Sequence, residues 1–170
     1  KERVYEPDWR DRARVEYTRR LGAALALLLP EDVPGSISTV PGAWRAALSD
    51  PADRATIADH LLTSAAELSS LSDQAGRTIA LALEPEPGCM LETIEQSVRF
   101  FDEHLLSARA IGRFAELTGL RRTAAESRLR EQLGLCLDTC HAAVEFEDVA
   151  TARSALEQAG IGVKKLQLSC

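Results

Sequence analysis

The chain has 170 residues, 45% hydrophobic and 27% charged, which suits one domain with a sizeable core and excludes a disordered, collagen-like or coiled-coil protein. Twenty Lys and Arg against 26 Asp and Glu leave a net charge of −6, so nothing points to nucleic acid or an anionic membrane as partner. The longest apolar run, Ala23–Leu29, is far short of the roughly 18–20 residues that span a bilayer.

In chain order, the first helix is expected over about Asp11–Leu29, with Tyr17, Leu21, Leu25 and Leu28 on one stripe and Pro30 as its stop. Gly35–Val40 reads as a short strand ended by Pro41-Gly42. Asp50-Pro51 opens a second helix with the stripe Ile57, Leu61, Leu68 and Leu71. Thr78–Leu83 is a second strand, closed by Glu84-Pro85-Glu86-Pro87-Gly88. A third helix is expected from about Leu91 towards Leu117, because Ile94, Val98, Phe101 and Leu105 share a helical face. Thr123–Glu126 has the form of a capping box for a fourth helix running to about Gln132. Leu133–Asp138 is a third strand, Glu147–Ala159 a helix ended by Gly160, and Val163–Ser169 a fourth strand.

Strand and helix alternate with no hairpin signals between strands, which predicts α/β repeats and a parallel sheet. The strands are two-faced. Leu81, Leu83, Leu135 and Leu137 lie on one side, and Ala80, Ala82, Cys136 and Asp138 on the other. The last strand likewise sets Leu166 and Leu168 against Lys165, Gln167 and Ser169. A doubly wound sheet buries both faces in helices and has no use for a small, polar side. A barrel does, with helices outside and a site within. A complete (β/α)₈ barrel needs about 200–250 residues. The expectation is therefore one partial TIM-barrel domain of four strands over 1–170. The chain starts at Lys1 without Met, and a fragment of a longer protein is expected.

Active sites form at the C-terminal ends of barrel strands. Glu84 stands at one such end, and Asp138-Thr139-Cys140-His141 follows the next strand. Two carboxylates and an imidazole there can converge on one divalent cation, Mn²⁺, Mg²⁺, Co²⁺ or Zn²⁺. The bland alternative is that Glu84 and Asp138 cap the following loops and His141 is a surface residue. Glu84 with Glu86 is a second pairing, of acid and base, against which stands a solvated Glu86 in a Pro-Gly loop. Cys136, Cys140 and His141 with Cys89 form a rival zinc set, but with no paired C-x-x-C knuckle the cysteines read as small buried hydrophobes. Four cysteines in a chain of this length are no disulfide framework, so reduced thiols in a cytoplasm are expected. His60 and His104 read as helix-surface residues. Lys165, on the inner strand face, is a candidate substrate partner, and Trp44 can line the mouth of a pocket or pack.

At these residues the sequence resembles the xylose isomerase-like TIM barrels, the superfamily of sugar isomerases and epimerases and of endonuclease IV-type nucleases. The carrying segments are Ile79–Gly88, Leu133–His141 and Val163–Ser169. More narrowly, Tyr5–Arg10, Gly35–Gly42 and Cys136–Ala142 look like the metabolite-traffic EboE family, of which the chain spans the middle part. The resemblance implies Glu84 as a carboxylate ligand after the fifth barrel strand, and Asp138 and His141 as ligands after the sixth. Gln167 falls where many members place a His ligand, a departure that predicts weaker binding. Glu84 and Asp138 are also the candidate catalytic carboxylates, and the candidate substrate residues are Gln167 and, from their own positions, Lys165 and Trp44. The implied activity is a metal-dependent isomerisation or epimerisation of a small metabolite. The alternative is a binding or assembly protein that keeps the barrel without turnover. Four strands leave open sheet edges, so a homo-oligomer is expected.

Overall fold

The computed structural model describes residues 2–168. Four strands alternate with helices: β1 Gly35–Thr39, β2 Ile79–Leu83, β3 Leu133–Asp138 and β4 Val163–Gln167. All pair in parallel, in the order β1-β2-β3-β4, and the sheet curls into half of a barrel. That is the order right-handed crossovers favour when each strand joins the edge left by the one before.

The helices are α1 Arg12–Leu28, α2 Asp53–Ala75, α3 Ile94–Phe100, α4 Ala108–Thr118, α5 Arg122–Gln132, α6 Thr139–Val144 and α7 Val149–Gln158. Leu81, Leu83, Leu135 and Leu137 are buried in one core cluster with Ile57, Leu61, Leu68 and Phe114 of α2 and α4. Ala80, Ala82 and Cys136 are buried but lie outside that cluster. In β2 and β3 a greasy outer side is thus separated from a small inner side, as alternation predicts, whereas Leu166 and Leu168, expected on the same greasy face of the last strand, are exposed at the sheet edge.

Several local features differ from the sequence reading. The stripe expected to face inward on α1 is only partly covered: Tyr17 and Leu28 are exposed, and Val15, Thr18 and Gly22 are the buried positions. The single third helix is two. After α3 the backbone makes a π turn over Phe101–Leu105, which buries both Phe101 and Leu105, and Ser107 then restarts a helix by accepting a hydrogen bond from Ala110 N. The capping box does not form, because α5 begins at Arg122 with Arg121 at its N-cap and Thr123 lies inside the helix. Helix α2 starts at Asp53, whose carboxylate accepts from the amides of Ser49 and Asp50. The short α6 was not foreseen. Asp138 caps it, accepting from Cys140 N at 2.8 Å.

Strand β4 carries a bulge. Leu135 pairs with Val163 but Cys136 with Lys165, which leaves Lys164 as the extra residue. The Lys164 chain passes over Gly134, where an added Cβ would stand 2.8 Å from its Cγ and 2.2 Å from the Gly162 carbonyl oxygen. Gly134 is therefore a close approach of two backbones. The bulge resets the side-chain parity of the strand, so that Lys165 and not Lys164 stands opposite Cys136. Ser169, expected in the last strand, lies outside the described residues.

Candidate metal centre

Glu84, Asp138 and His141 each offer a ligand atom, and these atoms lie within 4.8 Å of one another. The strands account for the convergence. Glu84 directly follows β2, Asp138 ends β3, and β2 and β3 are neighbours. The first turn of α6 then brings His141 back over the strand ends. Two ligands about 2.0–2.3 Å from one ion stand at most about 4.6 Å apart. Three ligands around one ion must stand closer together than that, so the trio can hold a metal ion once its side chains draw inward.

Each ligand is oriented by a further contact. Ser38, on the inner face of β1, donates from its hydroxyl to Glu84 Oε2. His141 Nδ1 is 3.2 Å from the Pro85 carbonyl oxygen and 3.6 Å from Glu84 Oε1. A proton on Nδ1 satisfies that carbonyl and leaves Nε2 its lone pair, the usual way a ligating imidazole is held. Asp138 is buried; one oxygen caps α6 and the other, Oδ2, accepts from Gln167. Gln167 Nε2 also donates to Glu84 Oε1, at 2.8 Å. Opposite Asp138 in the β3–β4 register, Gln167 thus ties the two carboxylates together.

Capping and convergence coexist in Asp138, so the bland reading holds for one of its oxygens only. His141 is half-buried and hydrogen-bonded rather than a free surface residue. Lys165 faces Cys136, one layer below Gln167. Trp44 stacks on Tyr5, with ring centroids 5.5 Å apart, and touches the backbone at Gly88, where φ is +86° and an added Cβ would stand 2.2 Å from the indole. This aromatic pair borders the loop after Glu84. Glu86 turns to Tyr5, accepting its hydroxyl at 2.7 Å; burial first, and this bond to a carboxylate second, push the phenol pKa up. Ser38 and the Pro85 carbonyl were not singled out from sequence. The alternation of Ser36 and Ser38 against Ile37 was the available signal for Ser38.

The other candidates separate from this site. Among the described residues, Glu84, Asp138 and His141 are the one group of three or more metal-binding side chains that meets. The rival cysteine set does not assemble. Burial pushes the Cys136 thiol up to about 11 and the Cys89 thiol up to about 12, so both stay protonated near neutrality. His60 Nδ1 meets the Trp9 carbonyl at 2.8 Å, and His104 packs on Phe100 in the π turn. Among the described residues no helix is long and apolar enough to cross a membrane. The chain matches no protein-family model, no curated protein and no solved structure.

Proposed function

We propose that the chain is part of a divalent-metal-dependent barrel of the isomerase or epimerase type, similar to the xylose isomerase-like superfamily and to its EboE branch. The observation that carries this reading is the meeting of Glu84, Asp138 and His141 at the C-terminal ends of two adjacent strands. A bound divalent ion supplies Lewis acidity toward a carbonyl or adjacent hydroxyls of a small polyol-like or prenylated metabolite. Glu84 and Asp138 fix the polar end of the substrate, and whichever carboxylate oxygen faces its carbon carries the proton. Lys165 and Trp44 flank the hollow as binding residues, and the setting is cytoplasmic.

Metal content tests this reading. The purified chain, equilibrated with Mn²⁺, Co²⁺, Mg²⁺ and Zn²⁺ in turn, is expected to retain about one ion per chain. Asp138→Asn keeps the helix cap, since Asn caps as well as Asp, and is expected to lower occupancy at least about tenfold with an unchanged circular dichroism spectrum. Unchanged occupancy would make the carboxylate structural.

A second reading, a metabolite-binding or assembly protein without turnover, is favoured by Gln167, whose amide already satisfies both carboxylates. No retained ion of any kind, with metabolite still bound, would select it. Assembly into a homo-oligomer fits either reading. β1 and β4 are sheet edges among the described residues, and Leu166 is 54% exposed beside the β4 edge. Light scattering at micromolar concentration is expected to give at least a dimer, and a clean monomer would overturn that expectation.

A further inference from the structure

Gln167 occupies a position that a metal ligand set does not by itself explain. Its Nε2 lies 2.8 Å from Glu84 Oε1 and 2.7 Å from Asp138 Oδ2. An amide has a donor end and an acceptor end, and only the NH₂ end can face two ionised carboxylates. Both of its protons are therefore engaged, and the nitrogen stands between two anions as a cation would. These charge-assisted bonds offset the repulsion between two carboxylates sharing one hollow. The remaining oxygens are held from the protein side, Glu84 Oε2 by Ser38 and Asp138 Oδ1 by Cys140 N. Those contacts keep the carboxylates aimed inward whatever lies between them. A half-turn about the last torsion of Gln167 exchanges its nitrogen for its oxygen, and that sp³–sp² torsion is broad.

We propose that Gln167 is an exchangeable occupant of the cation position. Its NH₂ latches Glu84 to Asp138 in the ion-free protein, and on entry of an ion the amide turns over and presents Oε1 as an oxygen ligand. The inference rests on the metal reading above and adds an internal competitor to it. An incoming ion must replace two charge-assisted hydrogen bonds, so binding is weaker than the three ligands alone would make it. The ions favoured are those that accept a carbonyl oxygen readily, Mg²⁺ and Mn²⁺.

The test uses the side-chain NH₂ signals of ¹⁵N-glutamine-labelled protein, with Gln167 assigned by its loss in Gln167→Glu. Addition of Mg²⁺ is expected to move the Gln167 pair toward the position of a solvent-exposed amide, as its two hydrogen bonds break. Gln167→Glu removes the latch and supplies an anionic oxygen. Its ion-free form is expected to melt below wild type, and it should bind Mg²⁺ or Mn²⁺ about tenfold tighter or more by calorimetry. If wild type binds the ion with the Gln167 signals unmoved, or Gln167→Glu binds no tighter, the exchange is overturned and the metal site stands. If neither ion binds to either protein, the metal reading itself fails and the exchange with it. Should Gln167→Glu not fold, Gln167→Asn provides the assignment and the wild-type shift decides.

Discussion

His141→Ala is expected to weaken divalent-ion binding by at least about 100-fold, because loss of a direct ligand should cost no less than the upper end of what loss of a ligand's orienting partner costs. The same change should scarcely affect the fold. His141 is half-buried, and its recorded contacts are a 3.2 Å hydrogen bond to the Pro85 carbonyl and a 3.6 Å approach to Glu84. One such bond is worth about 1 kcal/mol, which in a domain of this size moves the melting temperature by roughly 2–4 °C. Isothermal titration with Mn²⁺ or Zn²⁺ and a melting curve of the ion-free protein measure the two effects separately. A variant that binds as tightly as wild type would remove His141 from the ligand set. A drop of more than about 10 °C in the ion-free melt would mean that the residue holds the strand ends together instead.

Leu81→Ala should cost about 2–5 kcal/mol, a fall of roughly 5–15 °C in melting temperature. Leu81 is fully buried in an inner strand, paired with Ile37 of β1 and Leu133 of β3, and belongs to the core that the helices cover. Truncation there leaves a cavity that paired strands cannot close. Leu166→Ala is the matching control. Leu166 sits opposite Leu137 in the β3–β4 register, yet it is 54% exposed where Leu137 is 5% exposed. Its truncation should change stability by no more than about 0.5 kcal/mol. Thermal or urea unfolding of the two variants reads the difference directly. Equal losses would mean that the outer face of β4 is covered in solution, as a partner copy would cover it.

The inner pole of the barrel was legible because short-range rules act there. Period-two alternation in β2 and β3 sets small residues against leucines, and the chain direction alone puts Glu84 and Asp138 at C-terminal strand ends. Where an element depends on one residue among several similar ones, local pattern misled. Ser107, not a continuous run, begins α4, and Phe101 and Leu105 reach the core through a π turn that a 3.6-residue period does not encode. Thr123 and Glu126 have capping spacing, but the helix had already begun at Arg122. The three residues of the candidate site were nameable from residue type and position. Their mutual distance was not, because it depends on α6 turning His141 back toward Pro85, a contact 56 residues apart in the chain.

Sequence by itself determined the parallel α/β order, the greasy and small faces of the inner strands, and the placing of two carboxylates and an imidazole after adjacent strands. These follow from periodicity and chain direction, which every residue carries locally. Tertiary structure alone decided how the site is wired. Ser38 reaches Glu84 across 46 residues, and Gln167 reaches back across 83 to Glu84 and 29 to Asp138. It also decided that the β4 bulge lays Lys164 across Gly134. Such contacts depend on sheet register and curl, and no window of neighbouring residues contains that information.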